Sequence, residues 1–524
     1  MNTKRLKAKI LDLAIHGKLV PQNPNDESAA VLLEKIRKEK GGESIPLGRT
    51  SLRPTPSSGG HPRNAPDASI SEDDIPFDIP EGWVWCYGYE IFSPMTSRNP
   101  SGDNFKYIDI EVVDNKRNKI DSPKIIPVYK APSRASRETF PGDILFSMVR
   151  PYLRNIALVT DTLTDCIAST GFFVCRPRKP LFSKYIFYLM TSNYVVNGIN
   201  QFMKGDNSPS VNGDDILNFL YPLPPLAEQQ RIVDAIEKAF EQIDIIEKNK
   251  LDLKTYIKQT KSKILDLAIR GKLLSPADIA QCRNKEESAT ALLEKIRNEK
   301  AELIKQKKLK PDPKSSIIIK AADGKHCEQF PNGTLKDIED EIPFEIPEGW
   351  AWCRLREIAF IERGGSPRPI GDFLTTKPDG INWIKIGDTK KGDKYIENVK
   401  EKIKPEGIKS SRMVHAGDFL LSNSMSFGRP YILKIDGCIH DGWLVFGNVE
   451  KCITSDYLFN LLTSPFIYES FELTAAGSTV KNLNKDRVKE VLFPLPPLSE
   501  QQRIVEAIEK SFEQLDKIEK SLGE

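Results

Sequence analysis

A chain of 524 residues with 39 % hydrophobic and 28 % charged residues has the composition of a soluble globular protein of roughly two to four domains. The formal net charge of +3 does not by itself indicate a nucleic-acid binder, so any affinity for DNA must come from local clusters of charge. No Cys-x-x-Cys or His-x-x-x-His pair occurs among the eight cysteines and five histidines, which argues against structural zinc, and scattered thiols suit a reducing cytosol. Neither a signal peptide nor an apolar run of roughly 18 residues is found, so we expect a cytoplasmic protein that does not span a membrane.

Four sequence blocks each occur twice, in the same order, and this duplication is the main signal in the chain. The paired blocks are residues 7–19 and 261–273 (11 of 13 identical), 27–40 and 287–300 (11 of 14), 75–86 and 342–353 (10 of 12), and 222–249 and 494–521 (22 of 28). Accidents of composition do not produce such identity, so the chain is a tandem duplication.

Between the repeated blocks lie two inserts, residues 87–204 and 354–476, which share little beyond a Gly-Asp turn and an Arg-Pro step. Short apolar runs bounded by Gly, Pro and Asp indicate strands at 143–146, 171–174 and 443–445. Residues 185–204 and 456–476 have helical patterns. We therefore predict a mixed α/β (α+β) fold for each insert. The four repeated blocks that surround an insert are called its frame, and the two frames are nearly identical.

The segment from Leu226 to Arg270 contains no Pro or Gly, and its apolar residues recur at spacings of three, four and seven. This pattern predicts one helix of about 45 residues, or ~68 Å. The second copy starts after Pro497 and ends with the chain, and its missing continuation is found at residues 9–19. The N-terminal and C-terminal helices together thus match the central helix, which predicts a circular pseudo-twofold repeat with a long antiparallel helix pair and both chain ends close together.

Two polar stretches separate the frames from the inserts. Residues 41–74 are rich in Gly, Ser and Pro and are typical of a flexible linker. Residues 301–340 begin with a lysine-rich run, 300–310, which is typical of a solvated helix face or tail; a role in contacting phosphate is the alternative.

The chain lacks the motifs that would indicate catalysis. No phosphate-binding Gly-x-x-x-x-Gly-Lys-Ser/Thr loop, Gly-x-Gly-x-x-Gly turn, Gly-x-Ser-x-Gly elbow or Asn/Asp-Pro-Pro-Phe/Tyr element of amino-methyltransferases is present. Asp109 and Glu111 could bind magnesium in a nuclease-like site, but exposed edges and turns carry such residues far more often.

The two PLPPL-x-EQQRIV segments, two IP-x-GW-x-W segments and two ILD-A-x-GKL helices closely resemble the conserved regions of specificity subunits of type I restriction-modification systems. The resemblance covers nearly the whole chain. It implies conserved helices at 1–40, a linker at 41–74, target recognition domains at 75–225 and 342–497, a central helix at 226–275, a helix and basic linker at 276–341, and a C-terminal helix at 498–524.

The resemblance also implies partners. Members of this family bind double-stranded DNA and two methyltransferase subunits, and restriction subunits join that complex. S-adenosylmethionine, ATP and magnesium would belong to those partners, so the chain itself would be non-catalytic and without a cofactor or metal. The complex would methylate adenine in hemimethylated sites and cleave away from unmethylated ones. The sequence leaves open whether a restriction partner exists.

Base readout needs side chains that reach base edges, with phosphate contacts to fix the register. In the first insert we predict DNA contacts by Arg98, Lys106, Arg150, Tyr152, Arg154, Lys204 and Asn207. In the second we predict contacts by Arg363, Gly364, Gly365, Ser366, Arg368, Lys385, Ser422, Asn423, Arg429, Lys481 and Asn482. The two glycines would let the backbone approach a phosphate. The alternative for each side chain is a solvated surface charge or polar group.

The repeated helices are expected to bind partner subunits as well as to stabilise the fold. The residues we assign to partner binding are Gln229, Gln230, Arg231, Gln501, Gln502 and Arg503. One copy in each repeat predicts two methyltransferase subunits per chain. The four frame tryptophans, Trp83, Trp85, Trp350 and Trp352, are expected in the core rather than stacked on bases.

Two other classes of protein remain as alternatives. A coiled-coil scaffold without a DNA role would explain the helices but not two unlike inserts in duplicate frames, and a self-contained nuclease or methyltransferase would need the missing motifs. Because the inserts differ, we expect two different half-sites in a non-palindromic target. The helix lengths predict an unread gap of about 6–7 base pairs, but the sequence does not identify the bases.

Overall fold

The computed structural model describes residues 2–40, 70–282, 288–307, 311–312, 314–390, 392–424, 427–447, 452–475 and 483–523. The chain forms two compact units, Met1–Lys250 (unit 1) and Leu251–Glu524 (unit 2). Each unit contains one copy of the repeated blocks and one insert. The predicted linker at 41–74 lies outside the described residues except for its last five positions.

Unit 1 is built from seven helices and twelve strands within its described residues. The helices are α1 (Thr3–Ile15), α2 (Ala29–Lys40), α3 (Gly88–Ile91), α4 (Ser183–Thr191), α5 (Asn193–Asn200), α6 (Gly213–Leu217) and the first part of α7 (Leu226–Ile269). The strands are β1 (Val84–Tyr87), β2 (Phe92–Ser93), β3 (Asn104–Ile108), β4 (Val113–Asp114), β5 (Lys119–Ile120), β6 (Lys124–Pro127), β7 (Ala135–Glu138), β8 (Ile144–Ser147), β9 (Ile156–Leu158), β10 (Cys166–Ser169), β11 (Phe172–Pro177) and β12 (Leu220–Leu223).

Unit 2 begins with the rest of α7. Its other helices are α8 (Pro276–Cys282), α9 (Ala289–Lys305), α10 (Leu355–Ile358), α11 (Ser455–Thr463), α12 (Pro465–Ala475), α13 (Lys485–Lys489) and α14 (Leu498–Gly523). Its strands are β13 (Ile317–Lys320), β14 (His326–Gln329), β15 (Leu335–Asp337), β16 (Ala351–Arg354), β17 (Phe360–Arg363), β18 (Leu374–Thr375), β19 (Ile381–Ile384), β20 (Tyr395–Ile396), β21 (Glu401–Ile403), β22 (Arg412–Val414), β23 (Phe419–Ser422), β24 (Pro430–Leu433), β25 (Gly437–Ile439), β26 (Trp443–Gly447) and β27 (Leu492–Leu495).

The two inserts have the same sheet topology although their sequences differ. In unit 1 one sheet has the strand order β6-β3-β10-β7 and another the order β2-β11-β8-β9. In unit 2 the corresponding orders are β21-β19-β25-β22, with β18 added beside β21, and β17-β26-β23-β24, with β20 added beside β24. Strands β3 and β10 are parallel, as are β19 and β25, whereas their outer neighbours are antiparallel. The predicted mixed α/β class is therefore correct for both inserts.

Each frame closes its insert with one short antiparallel strand pair. In unit 1, β1 pairs with β12, so that Trp85 lies opposite Pro222, and in unit 2 Trp352 lies opposite Pro494 in the same way. The repeated block that carries the tryptophans (75–86 in unit 1 and 342–353 in unit 2) is called the tryptophan block. Its strand thus pairs with the strand that leads into the long helix. All four frame tryptophans are buried, as predicted.

The glycine of each GKL sequence explains how the first and third blocks fit together. Gly17 has φ +64°, a conformation that favours glycine. A Cβ atom there would lie 2.2 Å from Pro80, in the tryptophan block. Gly271 has φ +63° and the same relation to Pro347. Because any larger side chain would push the two blocks apart, both copies keep glycine.

The predicted long helix is present as α7, 44 residues from Leu226 to Ile269. In unit 1, α1 runs antiparallel to its first part, because Thr3 bonds Glu247 and Lys7 pairs with Asp244. In unit 2, α14 packs against its second part, where Lys261 pairs with Asp516 and Glu519. The duplicated helical blocks therefore form one helix pair in each unit.

Most of the predicted elements of the inserts are confirmed, with small changes. The strand runs correspond to β8, β11 and β26, and each predicted helix is two helices broken at a serine. Ser192 ends α4 and accepts a hydrogen bond from the Val195 N–H, so it caps α5. The Gly-Asp turns are equivalent, since Asp143 and Asp418 each accept a backbone N–H bond three residues back.

The Arg-Pro step is not equivalent in the two inserts. Arg150-Pro151 opens a 3-10 turn after β8, whereas Arg429-Pro430 leads into β24. The strand registers place Pro430 at the position of Ile156, because these residues pair with Leu421 and Phe146. The sequence identity of the two steps is therefore coincidental.

The segment 276–341, which we predicted as a helix and basic linker, does contain helices, but its residues 317–337 form a folded sheet rather than a linker. Helix α9 continues to Lys305, and β13, β14 and β15 form an antiparallel sheet. Buried Glu328 of that sheet accepts two hydrogen bonds from Arg354, each 2.9 Å, and thereby anchors the sheet to β16. Lys300 is also structural: its ammonium donates to the carbonyls of Arg356 and Glu357, and burial lowers its pKa to about 8.

Candidate DNA interface

One cluster of predicted DNA contacts in unit 1 surrounds the 3-10 turn Pro151–Leu153. Arg150 and Tyr152 are exposed there, and the Arg150 guanidinium donates to the Asn207 carbonyl at 2.9 Å. The backbone N–H of Arg150 also donates to Pro209, and Lys204 and Ser210 bond each other in both directions. The structure therefore brings Arg150, Tyr152, Lys204 and Asn207 onto adjoining loops, with their side chains accessible to a polyanion.

Arg154 does not belong to that exposed cluster. It has φ +58°, which is strained for a residue with a side chain. Its guanidinium donates to the Thr191 carbonyl and to the Asn193 side chain, where α4 passes into α5. Burial lowers the pKa of this guanidinium. Arg154 thus holds the turn against the helices, and the prediction that it contacts DNA is not supported.

Arg98 and Lys106 lie together at a different place, beside the turn that leads into β10. Arg98 pairs with Asp165 at 2.6 Å, and the Lys106 ammonium donates to the Thr164 carbonyl at 3.2 Å. Lys106 is exposed and Arg98 is half-buried. The predicted residues of insert 1 therefore form two groups rather than one.

In unit 2 four predicted residues line one cleft of about 670 Å³: Arg363, Ser366, Arg368 and Lys385. We call it the Asp441 cleft, because Asp441 bonds most of its polar groups. The Asp441 carboxylate accepts from the Ser366 hydroxyl at 3.0 Å and lies 3.7 Å from the Arg368 guanidinium. Its backbone carbonyl accepts from Arg363 at 2.8 Å. Glu401 pairs with Lys385 at 2.6 Å on another wall.

His440 completes the cleft in its neutral form. Its Nδ1 accepts a hydrogen bond from the Gly442 N–H at 2.9 Å, which assigns the proton to Nε2, 2.9 Å from Asp441. Burial lowers the pKa of His440, and nearby Lys385 and Arg363 lower it further, whereas Asp441 opposes this effect. The cleft thus contains the N–H donors of two arginines and one lysine, whereas both ring nitrogens of His440 are bonded within the protein, to Gly442 and Asp441. Such a set suits acceptor atoms of bases or phosphates.

Gly364 and Gly365 do not have the role that we predicted. A Cβ atom on Gly364 would lie 2.2 Å from the His440 carbonyl oxygen, and one on Gly365 would lie 2.7 Å from that of Ser410. The space beside each glycine is already filled by the chain's own backbone. These glycines permit close packing of β17 against neighbouring segments, rather than close approach of a phosphate.

Ser422 and Asn423 are wrong as DNA contacts, because both are buried. The Ser422 hydroxyl accepts from the Arg429 N–H at 2.9 Å, and the Asn423 amide donates to the Asp441 carbonyl at 3.1 Å. Asn423 thereby supports Asp441 from the interior, and Ser422 supports the backbone that leads into β24. Arg429 is half-buried beside them. Lys481 and Asn482 lie outside the described residues.

Three residues of the Asp441 cleft were not among the predicted DNA contacts: Glu401, His440 and Asp441. Strand register shows that His440 and Asp441, after β25, occupy the positions that Ser169 and Thr170 have at the end of β10. Both turns continue with glycine, at Gly171 and Gly442. In both inserts two polar residues precede a glycine and an aromatic residue. This shared pattern could have indicated the site, but it can be recognised only after the strands of the two inserts are aligned.

The predicted partner-binding glutamines divide into two kinds. Gln229 and Gln501 are fully buried, so they are not on the surface where we placed them. The Gln229 amide accepts from the Phe182 N–H and donates to the Pro224 carbonyl. Gln501 accepts from the Thr454 N–H and donates to the carbonyls of Cys452 and Pro496. These two residues fix the starts of the helices against the inserts. They therefore stabilise the fold, which is one of the two roles predicted for the repeated helices.

The neighbouring residues of the same helices remain accessible. Gln230 and Gln502 are exposed and bond Asp234 and Glu506 one turn further along. Arg231 pairs with Asp26 at 2.6 Å, and Arg503 is half-buried. Their assignment to partner binding stays a prediction.

A family model described as "Type I restriction modification DNA specificity domain" matches residues 93–255 and 347–523, one match for each repeat. The chain belongs to this family.

Named relatives resemble this specificity subunit over almost its whole length. The EcoAI and EcoEI type I restriction enzyme specificity subunits of Escherichia coli are each 25 % identical to it, over 98 % and 99 % of the chain and 90 % of each relative. The HsdS subunit from Thermoanaerobacter tengcongensis has a similar crystal structure, with a TM-score of 0.52, 25 % identity, and coverage of 85 % and 93 %. A chain from a study of complex assembly and conformational transition of the type I R-M system gives a TM-score of 0.55, 26 % identity, and coverage of 86 % and 94 %.

The described part of this specificity subunit contains no group of three or more His, Cys, Asp or Glu side chains arranged to hold a metal ion. None of its helices within that part is long and apolar enough to cross a membrane.

Proposed function

We propose that this subunit selects the DNA sequence on which a type I restriction-modification complex acts. Each insert would bind one half of an asymmetric, bipartite site in double-stranded DNA. One observation carries this proposal: the two inserts have the same sheet topology but present different accessible hydrogen-bonding side chains. Unit 1 presents Arg150, Tyr152, Lys204 and Asn207 on loops, whereas unit 2 presents the Asp441 cleft. A shared framework with different reading groups is what two different half-sites require.

The complex would be completed by two methyltransferase subunits and by restriction subunits. Gln230, Arg231, Gln502 and Arg503 occur at matching places in the two helix starts, which supports one methyltransferase subunit for each repeat. S-adenosylmethionine, ATP and magnesium would be bound by those partners, and the complex would act in the cytoplasm. This chain would contribute binding and orientation but no reacting group. The half-site spacing remains a prediction from helix length.

The test is an exchange of one insert within the intact complex. Residues 87–204 are replaced by the matching insert of a relative, and the complex with its methyltransferase subunit is given a random duplex library. Methylated bases are then located by sequencing. We expect a change in one half of the target only, and a matching exchange of 354–476 should change the other half. Changes in both halves after one exchange would contradict the proposal.

A second arm uses the purified chain by itself. It should neither methylate nor cleave DNA, because the methyl donor and the nucleotide would be bound elsewhere. Methyl transfer by the isolated chain, with contaminating partners excluded, would overturn the non-catalytic assignment. If the chain bound no DNA duplex in a gel-shift assay, alone or in the complex, a coiled-coil scaffold without a DNA role would be favoured instead.

A further inference from the structure

One ion pair occurs at the same place in both inserts, with its charges reversed. In unit 1, Asp109 directly follows β3 and caps the 3-10 turn Ile110–Val112. In unit 2, Lys385 directly follows β19 and occupies the N-cap position of the 3-10 turn Ile386–Asp388, where its backbone N–H donates to the Asp388 carboxylate. Strands β3 and β19 are equivalent, since each lies between one parallel and one antiparallel neighbour in the same order.

The partners of these two residues are equivalent as well. Lys124 of β6 lies opposite Tyr107, and Glu401 of β21 lies opposite Trp383. Tyr107 and Trp383 stand two residues before Asp109 and Lys385, respectively. Lys124 bonds Asp109 at 2.5 Å and Glu111 at 2.6 Å, whereas Lys385 bonds Glu401 at 2.6 Å. Acid and base have therefore exchanged places between the two inserts.

The fold does not require either polarity at this place. The four side chains are between 21 and 39 % exposed, and ion pairs that water can reach contribute little to stability. Strand order and register are the same in both units whichever residue carries the positive charge. A position whose charge can be reversed without changing the framework is free to serve recognition.

The surroundings indicate what each polarity would read. Lys385 shares the Asp441 cleft with Arg363 and Arg368, so the cleft contains three basic side chains that can donate hydrogen bonds. Donors of this kind match guanine, whose major-groove edge carries the O6 and N7 acceptors. At the equivalent place in unit 1, Asp109 and the more exposed Glu111 present acceptor oxygens around one lysine. Carboxylates accept from the exocyclic amino group of cytosine.

We propose that the pairs Lys385–Glu401 and Asp109–Lys124 are specificity-determining positions, with Lys385 reading a guanine and Asp109 reading a base that exposes an amino group. This rests on the proposed function, because it assigns base chemistry to inserts that bind DNA. It adds the prediction that reversing one pair changes one base pair of one half-site.

The decisive variant reverses the charges and keeps the pair, Lys385→Glu with Glu401→Lys. A control reverses Lys325 and Asp337, an exposed pair at 3.2 Å on the sheet β13–β15. Each variant is assembled with the methyltransferase subunit, supplied with S-adenosylmethionine and a random duplex library, and methylated sites are sequenced. The reversed pair should reduce the preference for G·C at one position of one half-site by roughly tenfold or more, because one direct base contact gives about that discrimination. The control should keep the wild-type motif.

The outcomes separate the two proposals. An active Lys385–Glu401 reversal that keeps the wild-type motif in both half-sites overturns this inference and leaves the proposed function intact. A wild-type complex with no sequence motif overturns the proposed function itself. If the reversed variant does not assemble, the neutral variant Lys385→Gln with Glu401→Gln is scored by the same criterion: loss of the guanine preference at one position supports the inference, and an unchanged motif overturns it.

Discussion

The indole N–H of Trp83 donates to the carboxylate of Glu228 at 3.0 Å, across 145 residues of sequence. This bond joins the tryptophan block to the EQQRIV block, and Gln22 donates to the same carboxylate at 2.8 Å. Two of the four repeated blocks of unit 1, together with Gln22 from the segment between the other two, thus meet at one buried acidic side chain. The two copies of these blocks are nearly identical in sequence because their residues pack against one another in a core that supports each insert.

The pH dependence of unit 1 should report on Glu228. Burial raises the pKa of this carboxyl above its ordinary value of 4.5, although the bonds from Trp83 and Gln22 oppose the shift. A group whose pKa is higher in the folded state contributes stability below 4.5 that is lost as the pH rises through the folded-state pKa. Relative to wild type, Glu228→Gln should therefore become more stable at pH 8 than at pH 5. Urea unfolding at both pH values measures this, and a difference that is independent of pH would contradict it.

The buried and exposed glutamines of the helix start should behave differently. Gln229→Ala leaves the Phe182 N–H and the Pro224 carbonyl without their partner, so we expect a loss of about 1–3 kcal/mol in the free energy of unfolding. Gln230→Ala, its exposed neighbour, should change that free energy by less than about 0.5 kcal/mol. Chemical denaturation of both variants gives the comparison. Equal effects would show that burial does not distinguish them.

The frame is predictable from sequence because its information is local or repeated. Forty-four residues without Pro or Gly form a helix, and a sequence block that occurs twice indicates that the same contact is made in both copies. The strand runs are also predictable, since apolar residues bounded by Gly and Asp bury themselves in sheets. Register is different: the pairing of Trp383 with Cys438 and Glu401 joins three distant segments, and no local pattern specifies it.

The candidate site could be predicted only in part for the same reason. Arg363, Ser366, Arg368 and Lys385 were identifiable as polar or charged residues in loops. Asp441, whose carboxylate accepts from Ser366 and lies beside Arg368, was not identifiable, because a carboxylate after a strand has no distinguishing spacing. Gly364 and Ser422 look like surface residues in the sequence, and only the three-dimensional packing against His440 and Arg429 shows that they are internal.

Lys204 should contribute to DNA binding through phosphate rather than through bases. It is exposed on the loop that bonds Arg150. Removal of one lysine–phosphate ion pair lowers the slope of log K against log salt by about 0.9 in magnitude for duplex DNA. Lys204→Gln should therefore weaken binding of matched and mismatched duplexes alike and reduce the slope by about that amount. Lys320→Gln, an exposed lysine at the end of β13, should leave the slope unchanged in the same titration of the complex.

Asp441 should act as a positioning residue for the donors of its cleft. Its carboxylate accepts from Ser366 and lies beside Arg368 and the Nε2 of His440. In the proposed DNA interface, Asp441→Asn removes a negative charge from the cleft, so non-specific affinity should rise slightly. The same change releases Arg368 and places an amide N–H against existing donors, so the donors lose their fixed arrangement.

The measurement for Asp441→Asn is a ratio of affinities rather than a single affinity. Binding of the complex to its target is compared with binding to duplexes altered in one half-site. We expect discrimination to fall about tenfold, on the order of one direct contact, for the half-site read by unit 2, and to stay unchanged for the other. Glu397→Gln, which removes an exposed carboxylate elsewhere in the same insert, is the matched charge control. Equal losses in Asp441→Asn and Glu397→Gln would mean that net charge, and not the arrangement of donors around Asp441, determines the discrimination.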